Sequence, residues 1–391
     1  MHQDANDIEF HHELVSRAMM EDMYTKLVRV IYIPLDDFAP QTHVDRSFVY
    51  IGLSSINPVD VSRRPFLSLC ISTTSSSCRC CKLTNARPKS LRLLPICSDR
   101  RSLFRYLRLV VSVFAFYSLR PIRIPGNPRF FSKDVTVIIP SLEGDSPELF
   151  DTVQSILATE PYEIILVTVD AQLARAQLMI KRMGTFRARV MSVPHPNKRW
   201  QMVRAIPDVR TGITIFADDD VTWPSTLLPW ILAPFDDERY GGVGTNQRLR
   251  RANAPSIQQR AYGYLGALYL ERRNFDCASC MYMDGGLPCL SGRTVAYRTK
   301  ILKDHSFIHE FTHEQWTSKY QLHADDDNFL TRWMCSHGWK IWYQYHKEAE
   351  ILTTLEDNTK FWRQCLRWVR SNWRSNLTSL FREEIWRLVD S

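Results

Sequence analysis

The chain has 391 residues, 45% hydrophobic and 24% charged, with 50 Lys and Arg against 42 Asp and Glu and a net charge of +8. That is globular composition, and it excludes a wholly disordered, collagen-like or disulfide-scaffold protein; the length allows two or three domains of about 100–200 residues each. The charge is local: residues 61–130 hold fourteen Lys and Arg against one acid, Asp99, and the other 321 residues sum to −5.

The amino-terminal sequence MHQDANDIEFHHELVSR places acids and histidines where a secretory signal needs a basic end and an apolar core. Residues 1–100 show little sustained periodicity and include the low-complexity stretch STTSSSCRCC (72–81), a poor candidate for a packed core. Cys78, Cys80 and Cys81 lack the second ligand pair that structural zinc needs, since Cys97 alone follows before residue 134. The remaining cysteines lie scattered among apolar residues, as in a reduced chain.

An uncharged run, LVVSVFAFYSL (109–119), follows between Arg105 and Arg108 on one side and Arg120 and Arg123 on the other. Eleven residues fall short of the roughly 20 that cross a bilayer core, and extending the run back to Leu103 puts two arginines into it. Residues 101–130 therefore read as a membrane-associated segment, either a marginal spanning helix or, at least as readily, one that lies in the interface with its arginines at headgroup level. The catalytic region would then face the cytosol.

From residue 131 the pattern changes. The β-branched run VTVII (135–139) ends at Pro140, and Ser146, Pro147 and Glu148 supply an N-cap, a first-turn proline and a first-turn acid for a helix through 149–158. The alternation repeats with EIILVTV (163–169) and a helix ending in Lys181, Arg182 and Gly184. It comes again with ARVMSV (188–193) and a helix after Asn197, then with GITIFA (212–217). Strands alternating with helices predict an α/β fold with a mostly parallel sheet covered on both faces, and a ligand at the carboxyl ends of the strands. No Gly-x-Gly-x-x-Gly follows any strand, so a dinucleotide-binding domain is not expected.

The residues just after the strands are Asp170, then Lys198 and Arg199, then Asp218-Asp219-Asp220. Three consecutive carboxylates at the end of a buried strand have no packing role, because like charges this close repel unless hydrogen bonds or a cation compensate them. An acidic surface loop is the plain alternative; position at a strand end favours a site for Mg²⁺ or Mn²⁺. A second triplet, Asp325-Asp326-Asp327, opens a helical stretch with Leu330, Trp333 and Met334 on one side. It reads either as a charged helix start or as a general base near the metal. In TKFWRQCLRWVRSNWRSN (359–376), Gln364, Arg367 and Trp368 fall on one helical face, where amide, guanidinium and indole suit a diphosphate and a sugar ring; an amphipathic surface helix accounts for the spacing equally well.

Together these three ordered motifs resemble the processive family 2 glycosyltransferases, the hyaluronan, cellulose and chitin synthases, and most of all the fungal hyaluronan-synthase-like, capsule-type polysaccharide synthases. The resemblance spans about residues 105–376 and implies a GT-A type nucleotide-sugar transferase domain, with a membrane-associated helix before it and an amphipathic interfacial helix after it. It implies Asp218 and Asp220 as metal ligands for Mn²⁺ or Mg²⁺, and Asp327 as catalytic base with Asp326 beside it. It implies Asp170, Lys198, Arg199, Asp219, Gln364 and Arg367 at the nucleotide sugar, and Ser291, Gly292, Arg293 and Trp368 on the acceptor side. The partners implied are a UDP-sugar donor, a polysaccharide acceptor and membrane lipid.

The sequence departs from the family pattern in places. Ser141-Leu142-Glu143 stands where Thr/Ala-Tyr-Asn-Glu is usual, Asp325 where glycine is common, and Asn328 where arginine follows in hyaluronan synthases, so the sugar does not transfer from the resemblance. No apolar run long enough to span follows the Gln-x-x-Arg-Trp stretch, which leaves open a non-processive transferase making a glycolipid or short glycan, or a truncated inactive homologue. A nucleic-acid-binding protein would account for the basic segment but for neither aspartate triplet, and no nucleic-acid partner is expected.

Overall fold

The computed structural model describes residues 100–250, 256–316 and 318–387; the expectations for residues 1–99, the cysteines at 78–81 included, lie outside them. The described residues from 101 onward belong to the unit Arg101–Ser391.

Helix α1 (Arg100–Ser118) carries most of the apolar run. It leans on the body through Phe116, whose ring lies 5.2 Å from Phe275 and 5.3 Å from Tyr345, while Val110 and Phe114 stay 63% and 64% exposed. No helix among the described residues is long and apolar enough to cross a membrane.

The strands β1 (Val135–Pro140), β2 (Glu163–Val169), β3 (Ala188–Val193) and β4 (Ile213–Ala217) follow, with α2 (Pro147–Leu157), α3 (Leu173–Met183) and α4 (Lys198–Ala205) between them. The local signals act as read. Ser146 Oγ accepts from the Leu149 amide at 3.3 Å, Gly184 takes the left-handed conformation (φ 63°) that ends α3, and Asn197 Oδ1 accepts from the Trp200 amide at 3.3 Å. After β4 come β5 (Val221–Thr222), α5 (Leu227–Leu232), β6 (Tyr240–Thr245), β7 (Gln247–Leu249), α6 (Ile257–Asp284) and β8 (Thr294–Arg298). Next are α7 (Thr299–Leu302), α8 (His305–His313), the short hairpin β9 (Gln315–Trp316) and β10 (Tyr320–Gln321), and α9 (Asp326–Ser336). The last elements are β11 (Lys340–Gln344), β12 (Ile351–Thr353) and α10 (Lys360–Phe381).

The main sheet has seven strands in the order β11-β6-β8-β4-β1-β2-β3. Strands β4, β1, β2 and β3 run parallel, with Ile138 opposite Ile165 and Val137 opposite Ile215. Strand β8 enters antiparallel between β4 and β6, so the sheet is mixed and mostly parallel. Its two faces bury two cores by the alternation of β side chains. Ile138, Ile165 and Val167 pack with Met202, Cys277 and Leu330 from α4, α6 and α9; Val137, Ile139 and Ile164 pack with Leu149, Val153 and Met179 from α2 and α3. A smaller sheet, β5-β12-β7, sets Thr353 opposite Val221, just past the end of β4.

Candidate active site

The antiparallel entry of β8 assembles the site. Because β8 runs against β4, the residues leading into β8 meet the residues leaving β4, and the Asp218 amide donates to the Arg293 carbonyl at 3.0 Å. Ser291-Gly292-Arg293 therefore lies beside the first aspartate triplet. Lys198, in the first turn of α4, reaches the same place: its Nζ is 2.7 Å from Asp218 Oδ1 and 3.2 Å from Asp326 Oδ2. One ammonium thus joins the carboxylates after β4 to those opening α9. Gly292 fits against this junction so closely that a Cβ there would stand 3.2 Å from Lys198 Nζ and 3.3 Å from Asp326 Oδ2.

The electrostatics follow from burial and proximity. Burial lowers the Lys198 pKa, but the charges of Asp218 and Asp326 more than reverse this and hold it above the ordinary lysine range. Asp219 is pushed up to about 6, first by burial and then by the charges of Asp218 and Asp220, against the opposing hydrogen bond from Ser141 Oγ at 2.5 Å. Burial and Asp218 also raise Asp220, opposed by a hydrogen bond from Thr354 Oγ1 at 2.7 Å and by the charge of Arg293. Three adjacent carboxylates crowded at one strand end make a local concentration of negative charge that a divalent cation would compensate, and Asp218 and Asp220 are the two that would hold it. Among the described residues no group of three or more His, Cys, Asp or Glu is arranged to hold a metal. The pair would therefore supply part of a coordination shell, which suits Mg²⁺ or Mn²⁺ completed by a substrate diphosphate and water.

The second triplet sits at the start of α9. Asp325 takes a left-handed conformation (φ 65°) and pairs with Arg374; Asp326 is buried against Lys198; Asp327 Oδ1 accepts from the Asn328 amide at 2.8 Å. Thr331 Oγ1 donates to the Asp327 carbonyl at 2.7 Å and accepts from the Leu290 amide at 2.8 Å, tying α9 to the Ser291-Gly292-Arg293 loop. The Arg293 guanidinium donates to Thr353 Oγ1 and to Gln247 Oε1, each at 3.1 Å, and lies 5.3 Å from the Trp368 ring. Trp368 stacks on Tyr269 at 4.9 Å, which brings α10 to the site. Arg367 is exposed, while Gln364 Oε1 is buried with no hydrogen-bond partner.

The structure thus brings together Asp218, Asp220, Lys198, Asp326, Asp327, Gly292, Arg293 and Trp368. Asp170 is exposed at the carboxyl end of β2, where the sequence placed it. Asp219 is engaged by Ser141 through its carboxylate and by Thr152 through its carbonyl at 3.0 Å. One expectation is corrected. Arg199, expected at the nucleotide sugar beside Lys198, is 1% exposed and spends its donors inside the protein, on the Phe311 carbonyl and the Glu314 carboxylate among others. Successive helical residues point about 100° apart, so Lys198 facing the site turns Arg199 into the core. Thr331, Thr354 and Tyr269 carried no signal in the sequence, being common residue types that register alone brings to the site, and Ser141 stood out only as part of the shortened motif after β1. A basic cleft of about 1250 Å³ lined by Arg129, Arg189, Arg210 and Lys303 opens at the amino ends of the strands, away from both triplets.

Comparison with known proteins bears on the family of the chain. Residues 132–371 match the family described as "Glycosyltransferase like family 2". A "Type 2 glycosyltransferase" of Zymoseptoria tritici is 56% identical over 279 residues, covering 71% of this chain and 58% of that protein. An "NDP-glycosyltransferase ltbB" of Aspergillus luteorubrus is 30% identical over 282 residues, covering 68% of this chain and 66% of that protein. The chain spans 54% to 59% of the length of three type 2 glycosyltransferases it matches. Among solved structures, a mannosyltransferase from Pyrobaculum calidifontis in complex with GDP-Man and Mn²⁺ superposes with a TM-score of 0.47 at 12% identity, covering 72% of this chain and 81% of that one.

Proposed function

The chain belongs to the family 2 glycosyltransferases, and from that premise we propose that it transfers a sugar from a UDP-sugar to a hydroxyl of a growing glycan, with inversion at the anomeric carbon. The observation that carries this reading is the reach of Lys198: one ammonium lies within 3.2 Å of both the strand-end carboxylates and those at the start of α9.

In this reading Asp218 and Asp220 hold Mn²⁺ or Mg²⁺, which when bound supplies Lewis-acid neutralisation of the departing diphosphate. Lys198 and Arg367 add fixed positive charge where the leaving group becomes negative. Asp327 takes the proton of the acceptor hydroxyl as the oxygen attacks the anomeric carbon from the opposite face. The transition state is oxocarbenium-like, and a single base with no carboxylate nucleophile gives one displacement, hence inversion. Asp170 lies toward the uridine and Gln364 toward the diphosphate. Trp368, with Arg293 over its ring, offers the acceptor sugar an apolar face, and Ser291 and Gly292 line the approach.

A polysaccharide acceptor and attachment to a lipid surface belong to the same proposal. The exposed apolar residues of α1, Val110 and Phe114 among them, with exposed Arg108, Arg120 and Arg123 near by, support the second part, since anionic headgroups pair with such arginines. The test is a panel of radiolabelled UDP-sugars supplied to membrane fractions and to protein on anionic vesicles, with Mn²⁺ or with chelator. Transfer from at least one UDP-sugar, lost with chelator, is expected. A long product ladder marks a polysaccharide synthase, a short product or glycolipid the non-processive alternative. Transfer indifferent to chelator, or none from any nucleotide sugar, contradicts the reading.

A further inference from the structure

Behind the second aspartate triplet lies a network of charges that the proposed chemistry does not use. Arg199 is almost fully enclosed between the rings of Phe311 and Phe329, 5.1 Å and 5.4 Å from its guanidinium carbon. Its Nη1 donates to the Phe311 carbonyl at 2.8 Å. Its Nη2 donates to Glu314 Oε2 at 2.6 Å, to the Ala324 carbonyl at 2.9 Å and to the Asp325 carbonyl at 3.2 Å. The other Glu314 oxygen accepts from Arg332, which also binds Glu383 at 3.0 Å and Ser375 at 2.7 Å. Arg374 pairs with the Asp325 carboxylate. The three arginines thus meet three carboxylates.

Such a network contributes little net stability, because desolvation offsets most of the attraction; what it supplies is one defined geometry. That geometry is needed at Asp325, whose left-handed backbone is unfavourable for a residue with a side chain and persists only where surrounding contacts hold it. The turn at Asp325 sets the direction in which Asp326 and Asp327 leave it, toward Lys198 and Gly292. Lys198 and Arg199 are consecutive in α4. One grips the side chains of the two triplets, the other the backbone of the turn that carries the second.

We propose that Arg199 and Glu314 are positioning residues for the base: they fix the 324–325 turn so that Asp327 stands in register with the carboxylates after β4. The inference rests on the transferase reading for its kinetic arm only. A guanidinium suits the place because Nη1 and Nη2 donate in different directions, one to the Phe311 carbonyl and the other to Glu314 and the turn carbonyls, while its carbon lies between two rings, an arrangement an ammonium cannot match.

The experiment compares Arg199→Lys, Glu314→Gln and the double variant with the intact protein, by turnover on the UDP-sugar selected from the panel, by Mn²⁺-dependent UDP binding, and by hydrogen exchange of the 324–328 amides. Each single variant is expected to lower kcat by about 10–100-fold, the loss that misplacing a reacting group by about 1 Å brings. The donor KM and UDP binding should stay within a few-fold, amide exchange in the turn should accelerate, and the double variant should be little worse than either single one. Unchanged kcat with unchanged exchange overturns the proposal, and so does equal loss of donor binding and turnover, which would mark a general structural role. Should the intact protein turn over no nucleotide sugar, the transferase reading fails, while the exchange of the 324–328 amides still decides whether Arg199 and Glu314 hold the turn.

Discussion

Asp219 shows how the site handles its own charge. Burial first, then the charges of Asp218 and Asp220, lift its carboxyl from 3.8 to about 6 despite the hydrogen bond from Ser141. Between these two values the native chain holds a proton that the unfolded chain has released, so in metal-free protein this group's contribution to stability falls as pH rises from about 4 to about 6 and is level beyond. Asp219→Asn removes the effect. In chelator, the Tm advantage of that variant over the native sequence should widen across this pH window and then stay constant; a difference independent of pH would contradict the account. The two aspartate triplets were legible in the sequence because packing gives no reason for three adjacent carboxylates. Arg199 was misread because adjacency to Lys198 suggested a shared task, while helical geometry turns the two side chains apart. Thr331 and Thr354 were not legible at all, since a hydroxyl joins a site only through the register of its element, and Ser141 was visible only as the start of a shortened motif, not as the partner of Asp219.

Among the elements, α10 links the far end of the chain to the site. Asn328 Nδ2 donates to Ser371 at 3.1 Å, and Arg332 binds Ser375, so α10 lies fixed along α9. At Trp368 the helix enters the site, stacked on Tyr269 and facing Arg293, which also donates to Thr353, itself 3.5 Å from Asp220. An aromatic pair of this kind is worth about 0.5–1.5 kcal/mol beyond its buried area. Trp368→Ala removes the apolar face proposed for the acceptor sugar and should raise the acceptor KM by about 10-fold, the loss of about 1.5 kcal/mol of apolar burial, with UDP binding unchanged, and Trp368→Phe should recover part of the loss; an acceptor KM equal to the native value would remove Trp368 from the acceptor side. Four parallel strands and their helices could be read from alternating β-branched runs and caps. The direction of β8 could not, since five buried residues (TVAYR) carry no mark of orientation. Nor could α6, in which Leu268, Tyr269 and Leu270 are buried in succession, leaving no single apolar stripe to reveal a helix.

At the scale of the whole molecule, charge is unevenly distributed along the chain. The basic excess gathers in residues 61–130, around the apolar run whose described part is largely exposed, while the rest of the chain is slightly acidic. That acidity is partly the two triplets, drawn from residues more than 100 positions apart and joined through Lys198. The central claim is that this junction is a metal-dependent transferase site with Asp327 as its base. The most direct test is Asp327→Asn, assayed for sugar transfer from the selected UDP-sugar and for Mn²⁺-dependent UDP binding in the same preparation. The account predicts that transfer falls by at least about 100-fold, as for the loss of a general base, while UDP binding stays within a few-fold of the native protein; turnover unimpaired in this variant would contradict it.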